Sequence, residues 1–276
     1  MNEYYGQPTG RIENDALILD YLLEAGPRLV RLIPRVSGDN LLAETPDFTL
    51  ESPHRTLRLW GGHRLWHAPE SAARTYIPDS TGVRTTTCHL GVTLSYDEPY
   101  TGIGKELEVI VHPTEARVQL NHRLTNQGLW PVELAPWAIT QLRPGGTAVL
   151  PVSGPQKDDE GLLPDRLIAL WPYSHWDDSR FRPNGDTIEI DALPVGRPFK
   201  IGTMNRAGWM AYRYNDLTFT KRWHPQPAQP HADFGCNAEI YTNDSHLELE
   251  TLGPLSRLEP GGTVEHVEEW EIQVAS

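Results

Sequence analysis

Residues 245–272 read "SHLELETLGPLSRLEPGGTVEHVEEWEI" and alternate apolar with polar side chains on both sides of a Gly-Pro turn. Successive side chains of a strand face opposite sides of its sheet. Leu247 and Leu249 therefore share one face, and Glu248 and Glu250 share the other. If the leucines face the core, the glutamates lie either on a solvated surface or on the polar floor of a cleft. The alternation predicts a β-strand in both cases.

The same two-residue period recurs along the chain. Residues 106–126, "ELEVIVHPTEARVQLNHRLTN", alternate on both sides of a proline and predict a long antiparallel hairpin. Residues 187–193 ("TIEIDAL") and 264–274 ("VEHVEEWEIQV") alternate as well. Residues 14–25, "NDALILDYLLEA", could be mistaken for a helix. With the segment after them they predict instead two strands that meet at the Gly-Pro corner of residues 26–27.

Turn residues separate these strand patterns. The chain contains 24 prolines and 23 glycines, and they fall between the alternating runs. Polar stretches at 151–165 and 224–235 are typical of long loops. Many short strands without helices between them predict an all-β fold, a large antiparallel β-sandwich. No shift in composition marks a boundary, so residues 1–276 are predicted to form a single domain.

The charge of the chain restricts its partners. Its 276 residues include 37 Asp and Glu against 24 Lys and Arg, which gives a formal net charge of −13 at pH 7. No basic stretch could neutralise phosphates, so we expect neither nucleic acid nor a membrane surface as a partner. Cys88 and Cys236 lie far apart and predict free thiols. A polar N-terminal sequence and the lack of a long apolar run predict a cytoplasmic protein.

The C-terminal segment resembles that of the aldose 1-epimerase (galactose mutarotase) superfamily. In that superfamily a glutamate in an "LExQ"-like strand is the catalytic base, an "LxPGE" turn follows, and a closing strand ends in an aromatic residue. Here Glu250 occupies the position of the base, "LEPGGT" at 258–263 the turn, and "HVEEWEI" at 266–272 the closing strand. The resemblance implies a galactose mutarotase-like sandwich with a sugar site on the concave face of a sheet.

Two further segments resemble the superfamily. "LEAGPRLVRLIPRVSGDNLL", residues 23–42, is similar to its opening strand pair. "LTNQGLWPVELAPWAITQLRPGG", residues 124–146, is similar to the segment that leads into the strand of its catalytic histidine. Trp137 stands at the place of that histidine, and we count it among the residues of the sugar site. An indole N–H donates a hydrogen bond but supplies no proton, so either another residue is the acid or the reaction is absent.

Residues 61–70, "GGHRLWHAPE", admit three interpretations. The spacing of His63 and His67 would suit zinc on a helix, but the glutamate of the metalloprotease motif is missing and the local sequence fits a loop better. The second interpretation is a structural corner in which both histidines bond to backbone. The third is the wall of a ligand pocket, since glycines permit a close approach of the backbone.

The resemblance favours the pocket wall, because members of the superfamily carry an arginine and a histidine at the sugar site in this region. Arg64 could donate two N–H groups to sugar hydroxyls. Trp66 could stack on the face of a pyranose ring. His63 and His67, which can titrate near neutral pH, are candidate catalytic acids opposite Glu250.

Two later segments supply further candidates for sugar binding. Lys200 is the one lysine of "PFKIGTMNRAGWMAY" at 198–212. It is either a surface lysine or a pocket residue that binds a hydroxyl or carboxylate, or donates a proton. Asn237 and Glu239 lie in "GCNAEIYTN" at 235–243.

Three functions are compatible with these residues. The first is an aldose 1-epimerase-like isomerase, in which Glu250 takes the proton of the anomeric hydroxyl while an acid protonates the ring oxygen. The second is a non-catalytic carbohydrate-binding module, which needs the tryptophans and Arg64 but no acid–base pair. The third is a lyase or hydrolase that acts on a glycoside. All three predict a small-molecule sugar or glycoside as the partner, with no cofactor and no metal.

Overall fold

The computed structural model describes residues 2–152 and 162–274. Within these residues the regular structure is entirely β, and no helix could cross a membrane. The first twelve strands are β1 (Asn2–Tyr4), β2 (Gln7–Glu13), β3 (Leu17–Leu22), β4 (Arg28–Pro34), β5 (Glu44–Leu50), β6 (Leu57–Gly61), β7 (His63–Ala68), β8 (Arg84–Cys88), β9 (Gly91–Asp97), β10 (Ile103–Val111), β11 (Arg117–Asn126) and β12 (Val132–Leu142). The others are β13 (Thr147–Pro151), β14 (Ala169–Leu170), β15 (Phe181–Asn184), β16 (Thr187–Asp191), β17 (Phe199–Thr203), β18 (Trp209–Tyr214), β19 (Leu217–Trp223), β20 (Ala238–Thr242), β21 (Leu247–Leu252), β22 (Ser256–Leu258) and β23 (Thr263–Val274).

Two large antiparallel sheets contain most of these strands. The first sheet has the order β1-β2-β3-β4-β7-β12-β21-β20-β17-β14, and β22 pairs with one end of β12. The second sheet has the order β15-β16-β13-β18-β19-β23-β11-β10-β9-β8. Strands β5 and β6 form a separate two-stranded ribbon. The prediction of an all-β antiparallel sandwich is confirmed.

The main core lies between the two sheets. Leu247 and Leu249 of β21 are fully buried in one apolar cluster with Leu107 of β10, which belongs to the other sheet. The leucine face of β21 therefore points into the sandwich. Glu248 and Glu250 consequently lie on the outer face of the first sheet, where the alternation leaves room for a polar site.

The strand predictions for the N-terminal half are confirmed. Strands β3 and β4 flank the Gly-Pro corner at residues 26–27. The hairpin predicted over 106–126 consists of β10 and β11, which pair along their whole length. The loop predicted at 224–235 contains no strand, whereas most of the loop predicted at 151–165 lies outside the described residues.

A polar cluster interrupts the core where β12 and β21 face the second sheet. Lys221 of β19 lies at its centre, fully buried. Its Nζ donates to the carbonyl oxygens of Ala138 (3.0 Å) and Leu249 (3.1 Å) and to Thr140 Oγ1 (3.1 Å). A carboxylate oxygen of Glu268 is 2.9 Å away. Because Ala138 belongs to β12 and Leu249 to β21, one ammonium group ties the two central strands of the first sheet together from the inside.

Two histidines extend this cluster, and their hydrogen bonds define their tautomers. His122 Nδ1 donates to the carbonyl oxygen of His266 (2.9 Å), so its Nε2 is an acceptor. His63 Nε2 lies 2.8 Å from that Nε2 and must be the donor. His63 Nδ1 then accepts from Thr140 Oγ1 at 2.9 Å. Every ring nitrogen has a partner when both imidazoles are neutral.

The pKa values of the two imidazoles agree with this assignment. Burial lowers the pKa of His122 to about 4, and burial together with the neighbouring His122 lowers the pKa of His63 well below its usual range. A histidine in an unfolded chain titrates near 6.5. Between about pH 6.5 and about pH 4 the unfolded chain therefore binds protons that the native chain does not, and the free energy of unfolding decreases as the pH falls.

We expect acid to destabilise the fold through this cluster. Between about pH 6.5 and about pH 4, each of the two histidines should lower the free energy of unfolding by up to about 1.4 kcal/mol per pH unit. His122→Asn retains a donor toward His266 and should flatten this pH dependence in urea unfolding measured across the range. His224→Asn, at an exposed histidine, is the control. Identical pH dependence in the wild type and His122→Asn would contradict the assignment of neutral, buried imidazoles.

Candidate functional site

The outer face of the first sheet carries polar side chains on five adjacent strands, β7, β12, β21, β20 and β17. Residues paired across antiparallel strands point to the same face, so the register arranges these side chains in rows. One row consists of Arg64, Ile139, Glu250 and Glu239. The next consists of Gln141, Glu248, Tyr241 and Lys200. Residues far apart in sequence therefore meet on one surface.

Two glycines position Arg64 at the start of β7. Gly61 and Gly62 have φ angles of +92° and +71°. A Cβ atom at Gly61 would lie 2.0 Å from the carbonyl oxygen of Ala43, and one at Gly62 would lie 1.8 Å from that of Leu29. Only glycine fits both the backbone angles and the space. Residues 61–62 thus form a structural corner, and strand β7, which follows at once, presents Arg64 and Trp66 to the pocket.

A cleft of about 290 Å³ opens on this face. Its aromatic lining consists of Phe48, Trp66, Tyr76, Trp137, Trp171, Tyr173 and Tyr241. Its polar lining consists of Arg64, Glu70, Lys200, His246 and Glu248. The volume lies at the lower end of the range for small-molecule sites, about 300 to 1,000 Å³. Flat aromatic walls with a few polar groups suit a small ligand that has both apolar faces and polar edges.

Arg64 has hydrogen-bond donors that no described residue uses. Its Nη2 donates to Glu248 Oε1 at 3.0 Å, and its guanidinium carbon lies 4.2 Å from the centre of the Trp66 ring. Gln141 Nε2 donates to the same Glu248 oxygen at 2.8 Å. The buried Nε and Nη1 atoms of Arg64 have no partner within residues 2–152 and 162–274. Unpaired buried donors are costly, which favours a ligand that accepts from Arg64.

Lys200 is enclosed at the base of the cleft by two carboxylates and two tryptophans. Its Nζ lies 2.7 Å from Glu239 Oε2 and 2.9 Å from Glu250 Oε2. The same atom is 4.8 Å from the ring centre of Trp137 and 4.6 Å from that of Trp171. Trp137 Nε1 donates to Glu250 Oε2 at 2.8 Å. The other oxygen of Glu250, Oε1, has no hydrogen-bond partner in the described part of the chain.

The three charged groups of this enclosure titrate very differently. Burial raises the pKa of Glu250 to about 7, against the opposing effect of the Lys200 charge. Burial also raises the pKa of Glu239 well above its usual range. Burial alone would lower the pKa of Lys200, but the two carboxylates hold it well above its ordinary value. At neutral pH Lys200 is therefore charged, and its high pKa makes it too weak an acid to be the proton donor, whereas Glu250 titrates near neutral pH.

The structure does not bring His63 and His67 to the cleft. Side chains alternate along β7, so the two histidines point into the sandwich while Arg64 and Trp66 point outward. His67 is fully buried, and its Nε2 lies 3.6 Å from a carboxylate oxygen of Glu98. This placement contradicts the expectation that one of these histidines is the acid facing a sugar, and we assign neither to the site.

The other sequence-based candidates divide into three groups. Those that line the cleft are Arg64, Trp66, Trp137 and Lys200. Glu239 and Glu250 are fully buried directly beneath it, in contact with Lys200. Asn237 lies elsewhere: it accepts from the Asn205 backbone N–H (2.7 Å) and donates to the Asn205 carbonyl oxygen (3.0 Å). Its role is to pin a loop, because both hydrogen-bonding ends of its amide are used.

Several cleft residues were not assigned to the site from the sequence. Glu248 and His246 share the outward face with Glu250, so the same alternation could have assigned them. His246 Nε2 accepts from Gln141 Nε2 at 3.0 Å and lies 3.6 Å from Glu248 Oε1. Tyr241 shares the outward face of β20 with Glu239, so the same alternation applies to it, whereas Phe48, Glu70, Tyr76, Trp171 and Tyr173 come from the separate ribbon or from segments without a periodic pattern.

One group of side chains has a composition that could hold a metal ion. The ligand atoms of His63, His122 and Glu268 lie within 4.8 Å of one another. A cation there would displace the proton shared by the two imidazoles and would lie beside the Lys221 ammonium, 2.9 Å from Glu268. The residues present therefore fit a hydrogen-bonded cluster better than a metal site, and the absence of a metal stays a prediction.

No protein-family model and no curated protein sequence matches the chain. Solved structures match its fold. A galactose mutarotase-like protein from Lactobacillus casei has a TM-score of 0.63 at 10% identity, covering 96% of this chain and 100% of that chain. A galactose mutarotase related enzyme from Lactobacillus acidophilus has a TM-score of 0.58 at 8% identity, covering 98% of each chain. A TPR-domain containing protein from Parabacteroides distasonis has a TM-score of 0.67 at 13% identity, covering 97% of this chain and 47% of that chain. The chain has the galactose mutarotase-like fold that its sequence motifs predict.

Removing the charge at the base of the cleft should destabilise the protein. Lys200→Met leaves the buried Glu239 and Glu250 without their shared cation, and we expect the free energy of unfolding to fall by about 3 kcal/mol in urea denaturation. The triple variant with Glu239→Gln and Glu250→Gln added removes the unpaired acids and should recover most of that loss. If the triple variant were less stable than Lys200→Met, the described ion cluster would be wrong.

Proposed function

We propose that the protein binds a carbohydrate, with one sugar residue in the cleft on the outer face of the first sheet. The galactose mutarotase-like fold is the starting point of this proposal. One observation carries the proposal: Arg64, whose Nε and Nη1 atoms have no hydrogen-bond partner among the described residues, lies in a cleft that is walled by aromatic rings. A sugar offers hydroxyl oxygens as acceptors for such donors and C–H faces for stacking on the rings.

The aromatic and polar groups are divided in the way that a pyranose ring requires. Trp66 and Trp137 meet at 5.6 Å between ring centres and form one wall, and Trp171 and Tyr173 approach from the loop after β14. Polar groups that could bond hydroxyls lie beside these walls: Arg64 on β7, Glu248 on β21 and His246 just before β21. A ring between these walls would bury its C–H faces and keep its hydroxyls bonded.

The charges of the cleft favour a neutral sugar over a uronate or a sugar phosphate. Arg64 already pairs with Glu248, and Lys200 already pairs with Glu239 and Glu250. Within the described lining, both cations therefore already have counter-ions, and neither is left to pair with an anionic ligand. The same argument weighs against the lyase hypothesis, in which an arginine must neutralise a uronate.

Titration calorimetry with D-glucose, D-galactose, D-mannose, D-glucuronate and glucose 6-phosphate tests the proposal. At least one neutral sugar should bind more tightly than the anionic ones. Trp171→Ala removes a cleft wall and should raise the dissociation constant about 10-fold, which corresponds to about 1.4 kcal/mol. Trp130→Ala, at a tryptophan that is 79% exposed and outside the cleft, should change nothing. Failure of the wild type to bind any neutral sugar would overturn the proposal.

A second candidate function, interconversion of aldose anomers, is favoured by the pKa of Glu250. A carboxylate whose pKa is raised to about 7 is suited to general-base catalysis at neutral pH, and no described residue forms a hydrogen bond with its Oε1. With His63, His67 and Lys200 set aside, His246 is the histidine in the described cleft lining and replaces them as the candidate acid. Glu250 is fully buried, however, so this reaction further requires Trp137 or Lys200 to move aside. Binding is therefore the first proposal.

The anomerase candidate predicts a characteristic pH profile. A base acts only when deprotonated, so kcat/KM should rise as the pH increases through about 7, and it should fall again at higher pH once the acid has lost its proton. Glu250→Gln should lower the rate roughly 10²- to 10⁴-fold, as followed by optical rotation or NMR of the anomers. Protein that does not accelerate anomer exchange above the buffer rate, while still binding the sugar, would leave only the binding function.

A further inference from the structure

We infer that the ligand is an oligosaccharide rather than a single sugar, and that a groove beside the cleft holds its next residue. This inference rests on the proposed carbohydrate binding. The groove, of about 140 Å³, is lined by Ala169, Leu170, Trp171, Pro172, Asp233 and Phe234. Trp171 also lines the cleft, so the two cavities share one wall. A ligand leaving the cleft over Trp171 enters this groove directly.

Phe234 gives the groove an aromatic platform that the fold itself does not use. Its side chain is 90% exposed, the highest value of any large apolar side chain in the described residues. Phenylalanine is normally withdrawn from water, and this ring makes no described contact with another aromatic ring. A free aromatic face next to Trp171 is what a second sugar ring would stack on.

The backbone holds Phe234 outward at a cost. Asp233 and Phe234 have φ angles of +50° and +60°, two consecutive non-glycine residues in the left-handed region. Hydrogen bonds from the N–H groups of Gly235 (2.8 Å) and Cys236 (3.0 Å) to the carbonyl oxygen of Ala232 close the turn. Strain of this kind persists where the surrounding structure imposes it, and it is concentrated at ligand sites. The turn also places the Asp233 carboxylate, an acceptor for sugar hydroxyls, beside the ring.

The cleft continues on its other side as well. Phe48, Pro198 and Tyr241 line both the cleft and a further cavity of about 290 Å³, which extends to Arg197 and Asn243. The cleft thus shares walls with two neighbouring cavities, one through Trp171 and the other through Phe48, Pro198 and Tyr241. A linear glycan fits this arrangement, whereas a monosaccharide would use only the middle cavity.

The test compares monosaccharides with matching trisaccharides by titration calorimetry: D-glucose with maltotriose and cellotriose, D-galactose with galactotriose, and D-mannose with mannotriose. The wild type should bind one trisaccharide at least 10-fold more tightly than its monosaccharide. Phe234→Ala should abolish most of this difference and leave the affinity for the monosaccharide unchanged. Trp176→Ala, which removes a ring that is 65% exposed and outside both cavities, is the matched control.

The outcomes separate this inference from the function on which it rests. A wild type that binds neither monosaccharides nor trisaccharides overturns the proposed carbohydrate binding itself. Equal affinity for a monosaccharide and its trisaccharide, or an advantage of the trisaccharide that Phe234→Ala leaves intact, overturns the groove while the binding function stands. Thermal unfolding of both variants distinguishes a lost subsite from a lost fold, because an exposed ring should contribute little to stability.

Discussion

The register of β12 between β7 and β21 decides what lies on each face of the first sheet. Ile139 is paired with Arg64 on one side and Glu250 on the other, so these two side chains lie on the outer face. A slip by one residue would exchange the faces, sending Arg64 and Glu250 into the sandwich and Leu249 into the cleft. The apolar core and the polar site are thus two results of one pairing, and a one-residue slip would disrupt both.

Each face of this sheet buries a lysine, and the two lysines are accommodated by different means. Lys200, on the outer face, lies between two acids whose pKa values are raised by burial, that of Glu250 to about 7 and that of Glu239 well above its usual range. Lys221, on the inner face, is held by carbonyl oxygens and by Glu268, whose pKa it keeps well below the usual range although burial alone would raise it. The protonation state of the outer cluster can change near neutral pH, whereas the inner cluster keeps fixed charges. Of these two clusters, the outer one, beside the cleft, is therefore the one whose charge changes near neutral pH.

The sequence predicted the fold well because strand alternation is a local property. The leucine and glutamate faces at 247–250 and the hairpin at 106–126 follow from a period of two, which tertiary contacts did not override. The site was predicted less well. Arg64 and Trp66 line the cleft, but His63 and His67 lie on the opposite face of the same strand. Because residues 61–70 were interpreted as a loop, strand alternation was not used to separate the two histidines from Arg64 and Trp66.

Other cleft residues come to the site from distant segments. Trp171, Tyr173 and Phe48 are positioned by loops and by the small ribbon, whose course depends on long-range packing rather than on any periodic pattern. Lys200 was singled out, but its enclosure by Glu239, Glu250 and two indoles became visible only when four strands and a loop were assembled.

Lys221 holds β12 and β21 together through main-chain oxygens at Ala138 and Leu249. A contact of this type does not depend on the side chains at those two positions. Substitutions at these two positions can accumulate during divergence while the strands stay linked, provided that Lys221 and the space around its side chain are conserved. Distant homologues could therefore share the spacing of the central strands while retaining little of the amino-acid sequence along them. A search for such relatives should weight the single cation and the polar groups around it more heavily than the strand sequences.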